Sequence, residues 1–470
     1  MTVGRTLEIN PVTRIEGHAK VLIDLDDDGK VGGAFLHVLE FRGFERFVQG
    51  MQVELMPTLT TRICGTCPHA HHLAAAKCVD RVFGVTPPRA AVLLRELLNA
   101  GSMIHSHAIH FFALAGPDLL LGPDTPPARR NLLGLLEAAP ELTQKALRLR
   151  SIGQKIAEIV GGRGTHPVTA VAGGMSSPLT PAGRATLRAL TSEAAGLAEL
   201  ALATGREALT SRQHLLGPLV QPTRNLGTVQ GENLDLYAGK LRVRAPDGTL
   251  EREFEAEAYA EHLVEEALPH SYGKQVLLRD RAGGAPLPYR VGPLARANVA
   301  DHIDTPRAGE ALAEFRSTYG NPCHDPVLGH YARLIELLYC VEKAAQILED
   351  DEVISPDVLA PISASPRPAV AHVEAPRGVL IHDYDVDQSG MMKGANFVVA
   401  TQHNIAAINS SLRTAAERLL DRSDQELMDG VEFAIRCYDP CLSCSTHQVG
   451  RMPMVVVVTE RGKVVREARR

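Results

Sequence analysis

Two segments carry the residues best suited to chemistry. Arg62-Ile63-Cys64-Gly65-Thr66-Cys67 lies near the N-terminus, and Asp439-Pro440-Cys441-Leu442-Ser443-Cys444-Ser445-Thr446-His447 lies near the C-terminus. Each holds a Cys-x-x-Cys pair, which brings two thiols close enough to grip one metal centre. Thiolates are soft ligands that suit zinc, iron–sulfur clusters and other thiophilic transition metals. Coordination strips the thiol proton, so the ordinary thiol pKa ceases to matter. Zinc ribbons keep their pairs roughly 15–20 residues apart, whereas 374 positions separate Cys67 from Cys441. That distance excludes a local zinc module. It calls for two ends of one fold converging on a buried site, where a structural zinc remains chemically admissible.

The composition fits such a fold. A chain of 470 residues with 45% hydrophobic content can bury a large core. A formal net charge of −6 and a pI near 6.3 give no basic face for nucleic acid. The opening MTVGRTLEINPVTRIEG has no apolar stretch of the secretory type, and no run approaches 18 apolar residues. A cytoplasmic protein without a membrane span is expected. The other cysteines, Cys78, Cys323, Cys340 and Cys437, read as buried apolar residues.

The elements that must position the two pairs are mostly helical. Lys20 to Leu25 and Val31 to Leu39 read as strands around the Asp26-Asp27-Asp28-Gly29-Lys30 turn. Asp24, Asp26, Asp28 and Gly29 also match the start of a calcium loop, but Phe35 stands where its final Glu belongs, so a hairpin is the better reading. Apolar spacing of three and four predicts helices over Arg89 to Ala115, Asn131 to Val160, Pro181 to Leu209, Pro326 to Glu349 and Thr414 to Tyr438. Residues 240–256 read as short strands around Asp247-Gly248, and Pro356 to Pro368 as a loop. His105, His107 and His110 at helical spacing read as packing. The fold expected is mainly α with peripheral β-hairpins (α+β): one unit over residues 1–447, with the metal site buried between N- and C-terminal segments of a helix-rich core.

Four blocks then resemble the large subunit of nickel–iron hydrogenases, along nearly the whole chain. They are Asn10-Pro11-Val12-Thr13-Arg14-Ile15-Glu16-Gly17-His18; Arg42-Gly43-Phe44-Glu45 followed by the first cysteine pair and His71; Glu374-Ala375-Pro376-Arg377-Gly378; and Asp439 through His447. The likeness is to the cytoplasmic, cofactor-reducing (NAD-linked) branch. It implies the hydrogenase large-subunit fold and reversible heterolytic cleavage of dihydrogen at a nickel–iron centre whose iron carries carbon monoxide and cyanide. Cys64 and Cys441 would be terminal nickel ligands, and Cys67 and Cys444 would bridge to iron. Cys441 would take the proton first and Glu16 would relay it, while Arg377 would act electrostatically over the open metal position. On the residues alone, Glu16 could instead pair with Arg14, and Arg377 with Glu374. Glu45, the Phe397 carbonyl and His447 would hold magnesium. His71, Asp118 and Asp439 would support this set, the two aspartates by holding Arg377 and the cysteine loop.

The same resemblance implies that residues 448–470 form a maturation extension, removed by a dedicated protease after nickel chaperones have delivered the metal. That tail carries Arg451, Arg461, Lys463, Arg466, Arg469 and Arg470 against Glu460 and Glu467, and Met454 to Val458 reads as a strand. Gly161-Gly162-Arg163-Gly164 is too weak for a dinucleotide fingerprint. With no second iron–sulfur ligand set either, electrons must leave through another chain. An iron–sulfur small subunit is implied, and behind it a flavin (diaphorase) module. Two other classes compete: a quinone-pocket subunit of the complex I type without hydrogenase activity, and a zinc- or iron–sulfur-binding scaffold.

Overall fold

The computed structural model describes residues 6–446 and the backbone strands 455–460 and 463–469. Four long helices form its centre: Arg89–Ile109, Pro140–Gly161, Pro181–Ser211 and Gly329–Glu349. The first two cross at glycine. A Cβ on Gly153 would stand 2.5 Å from the His105 nitrogen and 2.7 Å from the Gly101 oxygen, so only glycine admits the neighbouring backbone. The last helix packs on both Arg89–Ile109 and Pro181–Ser211. Its 16 buried residues, which include His330, Arg333 and Glu336, leave it buried almost all round.

Small, mostly antiparallel sheets pack around this bundle. Thr6–Ile9, Ala19–Leu25 and Val31–Val38 form the N-terminal sheet, and Asp26 Oδ1 closes its turn by accepting the Asp28 and Lys30 N–H groups. Arg224–Gln230 pairs with Lys240–Arg244, which pairs with Leu250–Phe254. Ala369–Ala375, Gly378–Val386 and Met392–Val398 make a third sheet, with Pro376 and Arg377 alone in its first turn. The α+β reading holds, with the helices central and the strands outside.

Several expected boundaries change for physical reasons. Pro140 breaks the helix expected over Asn131 to Val160, giving Leu132–Ala138, capped by the Asn131 side chain, and then Pro140–Gly161. The helix expected over Thr414 to Tyr438 is two, Ala400–Leu419 and Asp424–Arg436. Ser423 and Glu426 form a capping box that starts the second. The helix expected to run to Ala115 turns π-helical over His110–Ala115 before continuing as Gly116–Leu120. Wide turns of this kind recur at functional sites, and here Leu114 O accepts from Arg14 Nη1 at 2.8 Å.

Among the described residues no helix is long and apolar enough to cross a membrane. The strand expected in the C-terminal tail is present as Val455–Glu460, and it forms a hairpin with Lys463–Arg469.

Candidate metal centre

The N- and C-terminal segments meet backbone to backbone. Glu16 and Cys441 form a parallel bridge, and Leu442 N–H donates to Glu16 O at 3.1 Å. Gly17 makes the approach possible: its φ is +81°, and a Cβ there would lie 2.8 Å from the Leu442 Cβ. Thr401, at the start of the Ala400–Leu419 helix, accepts the Cys441 N–H at 2.9 Å. Arg42 holds the other loop through the carbonyls of Ile63 and Arg62. Asp439 has φ +52° just before the second pair, in the left-handed region that aspartate tolerates better than most residues.

Four sulfurs converge there. Cys64, Cys67, Cys441 and Cys444 are all buried, unbridged by disulfides, and lie within 4.8 Å of one another. The separations are 3.3 Å for Cys64–Cys441, 3.2 Å for Cys67–Cys444, 3.9 Å for Cys67–Cys441 and 3.0 Å for Cys441–Cys444. Burial pushes the Cys441 and Cys444 thiols well up. Burial would raise Cys64 as well, but hydrogen bonds from Cys441, Cys444 and Cys67 outweigh it and hold Cys64 well below the usual range. The cluster therefore favours a shared negative charge. A buried, all-sulfur donor set of this kind fits a soft transition-metal centre.

Glu16 does not pair with Arg14. Its Oε2 accepts from Cys441 Sγ and from the Ser443 N–H, each at 3.1 Å. Burial, then the charge on Cys64, pushes its carboxyl up. Nor does Arg377 pair with Glu374, whose carboxylate binds Arg296 at 2.6 Å. Arg377 is clamped by Asp439 through Nε to the backbone oxygen at 2.7 Å and Nη2 to Oδ1 at 3.0 Å. Its Nη1 is buried and makes no hydrogen bond among the described residues. Arg377 and three of the cysteines, Cys67, Cys441 and Cys444, line one small cavity. A second cavity of about 240 Å³, largely apolar, lies between Glu16 and Arg377 and is walled by Ile15, Ile109 and Leu114.

Asp118 takes a different place from the one expected. It holds neither Arg377 nor the cysteines directly. Its carboxylate gathers Arg14 at 2.5 Å, Arg436 at 2.9 Å and Arg130 at 3.4 Å. It thereby ties the Glu16 loop to the helix that leads into the second pair.

His71 places Nε2 3.4 Å from Cys444 Sγ. Nothing in the sequence marks what stands behind it. His71 Nδ1 meets His382 Nε2 at 3.2 Å, and His382 Nδ1 meets the Tyr384 hydroxyl at 2.7 Å. Burial pushes His71 down to about 4, so the ring is neutral. One set of tautomers satisfies the chain: Tyr384 donates to His382, His382 to His71, and His71 to the sulfur. Tyr384→Phe removes the terminal donor and is expected to cost about 1–3 kcal/mol of stability. Chemical denaturation of the metal-free chain checks this; no loss would mean that His382 is oriented by something else.

The expected magnesium donors are only partly together. Glu45 Oε1 accepts the Phe397 N–H at 2.9 Å, but Lys274 Nζ also lies 3.3 Å from that oxygen. The ammonium is held in place by Glu265 at 2.6 Å and Asn396 at 2.7 Å. As arranged, Lys274 stands against the Glu45 carboxylate that magnesium would use. His447 lies outside the described residues. His107 and His110, read as packing, are buried and bound to Glu336 and to Arg436 O.

Known proteins match this chain along its length. The family described as nickel-dependent hydrogenase matches residues 42–120 and 284–447, and a HoxL-like family matches residues 6–41. The chain is 40% identical to a chain of the F₄₂₀-non-reducing hydrogenase vhc of Methanococcus voltae, over 98% of this chain and 99% of that one. It is 38% identical to the beta chain of the NAD-reducing hydrogenase HoxS of Cupriavidus necator, over the whole of both. Among solved structures, an NAD⁺-reducing [NiFe]-hydrogenase in the H2-reduced state superposes with a TM-score of 0.90 at 38% identity, over 94% of this chain and 99% of the other. These matches disfavour the quinone-pocket alternative and the zinc scaffold. With four buried thiols where such a centre needs them, the chain belongs to the nickel-dependent hydrogenase family and is the large, catalytic subunit of a hydrogenase.

Proposed function

We propose that the four thiols would hold a nickel–iron pair, with Cys64 and Cys441 as ligands of nickel, Cys67 and Cys444 as ligands of both metals, and carbon monoxide and cyanide on the iron. When bound, this centre supplies the Lewis acidity that splits dihydrogen heterolytically. The chain's own residues then handle the proton. The observation that carries this reading is the 3.1 Å contact between Cys441 Sγ and Glu16 Oε2. Cys441 takes the proton first and Glu16 receives it. Ser443, whose backbone N–H holds Glu16, donates from its own Oγ to Glu40 at 3.3 Å, and Glu40 meets His18 at 2.5 Å, whose ring is largely exposed. These polar groups run from beside Glu16 to solvent, and a proton leaving Glu16 reaches them across the gap to the Ser443 hydroxyl. Arg377, always protonated, lends charge to the reacting position and does not act as base.

Among the described residues the four cysteines are the only group of His, Cys, Asp and Glu able to hold a metal. Electrons therefore pass to an iron–sulfur small subunit. The likeness to the NAD-reducing relative supports onward transfer through a flavin (diaphorase) module to NAD(P), in the cytoplasm. Magnesium enters at Glu45, the Phe397 carbonyl and His447 only if Lys274 swings away from Glu45. Purification with the partner chains tests the whole: nickel and iron in equal amounts, hydrogen oxidation and proton reduction, and hydrogen-dependent reduction of NAD(P) but not of a deazaflavin. Reduction of neither nicotinamide would sink the acceptor while leaving the hydrogenase intact.

The segment Gln448 to Arg470 is read as the maturation extension, cut after His447 once nickel is in place by a dedicated protease working after nickel chaperones. The family match ends at residue 447, which supports the cut. Intact-mass measurement of active enzyme is expected to give a chain ending at His447, with full-length chain confined to nickel-free protein. A full-length, nickel-loaded, active chain would refute the cut.

A further inference from the structure

Arg290 is about 2% exposed, and its Nε, Nη1 and Nη2 make no hydrogen bond among the described residues. It has no ion pair there either; its one close polar-to-ring contact is the Tyr438 face, 5.7 Å from the guanidinium carbon. A buried guanidinium with every donor idle is costly, because burial removes water and nothing replaces it. The idle donors border a cavity of about 20 Å³, room for one particle of water or halide size. Arg333 lines the same cavity. It is about 1% exposed and its Nε is also unpartnered.

No neighbouring side chain makes a direct hydrogen bond or ion pair with Arg290 among the described residues. The buried Asp325 carboxylate acts on Arg290 only through space, because its oxygens are taken by the Gly217 and Val327 N–H groups. Burial pushes the Cys437 thiol well up, so it stays protonated and donates to Phe433 O. The Tyr438 hydroxyl is engaged with Ser411 and Ala407 O. Asp439 faces Arg333 at 3.5 Å but is already clamped on Arg377, so one carboxylate serves two guanidinium groups.

We propose that Arg290 and Arg333 hold a small inorganic anion, of chloride size, in this cavity. The site differs from the sulfur cluster in its donors and its ligand: it uses N–H groups only and takes an anion that needs no metal. A cavity of about 20 Å³ suits a halide better than phosphate or a sugar acid.

Crystals of the whole enzyme, transferred into bromide and measured at the bromine edge, test this directly. The expected result is an anomalous peak within hydrogen-bond reach of Arg290 and Arg333, lost in Arg290→Met. Density without anomalous signal, meaning water alone, or a carboxylate from a partner chain in the cavity would overturn the proposal. Because removing a buried arginine can itself unsettle the fold, the unaltered enzyme gives a second reading. Its Tm is expected to rise with chloride along a one-site saturation curve, and not with gluconate at equal ionic strength. A Tm equally indifferent to both salts would overturn it too.

Discussion

Cys444→Ser is expected to give a folded chain that retains no nickel and has no measurable hydrogenase activity, and Cys64→Ser the same. Cys444 stands 3.0 Å from Cys441 and 3.2 Å from Cys67, and His71 donates to its sulfur. Serine keeps the shape but changes the donor. Its hydroxyl is a hard ligand that resists deprotonation, while nickel in a sulfur cage wants a soft thiolate already stripped of its proton. The control is Cys323→Ser. That thiol is buried away from the cluster, where burial pushes it up to about 11, so it is protonated and takes no part in binding metal. Metal analysis of the purified variants decides the matter. Full nickel content in Cys444→Ser would overturn the ligand assignment, and nickel loss in Cys323→Ser would show that the assay reads misfolding.

The contrast between these thiols also explains which parts of the molecule are legible in its residues. Cys64, Cys67, Cys441 and Cys444 can be found because thiols at short spacing have few other uses, and 374 intervening positions force a long-range closure. The long helices announce themselves by apolar periodicity. Their breaks at Pro140 and Ser423 follow from local chemistry that periodicity alone ignores. The sheet over residues 369–398 is harder to see. Its central strand is buried on both faces, so polar and apolar residues do not alternate as in a half-solvated strand. The polar residues inside it, His382 and Tyr384, give no signal until the fold sets them behind His71. Asp118 shows the opposite error. A carboxylate can serve any nearby arginine, and only the path of the π-helical turn decides that Arg14 and Arg436 reach it and Arg377 does not. Lys274 has no local signature at all; it meets Glu45 across 229 positions of sequence.

Glu16→Gln is expected to keep both metals and slow hydrogen–deuterium exchange by about 10²–10⁴-fold, the range that a positioned acid–base group contributes. The carboxamide retains an oxygen that can still accept the Ser443 N–H, so the Cys441 loop keeps its place. It cannot gain and lose a proton near neutral pH, and the Cys441 proton then has no carboxylate to receive it. Burial raises the Glu16 carboxyl toward the working pH, which suits a relay better than an exposed acid would. Exchange and metal content must be read on the same sample, because loss of nickel would imitate loss of the relay. If exchange falls with metals intact, Ser443→Ala and Glu40→Gln should produce smaller losses, since protons can still escape from Glu16 by water. Unchanged exchange in Glu16→Gln would move the relay to another group, and with it the line that runs through Ser443 and Glu40 to His18.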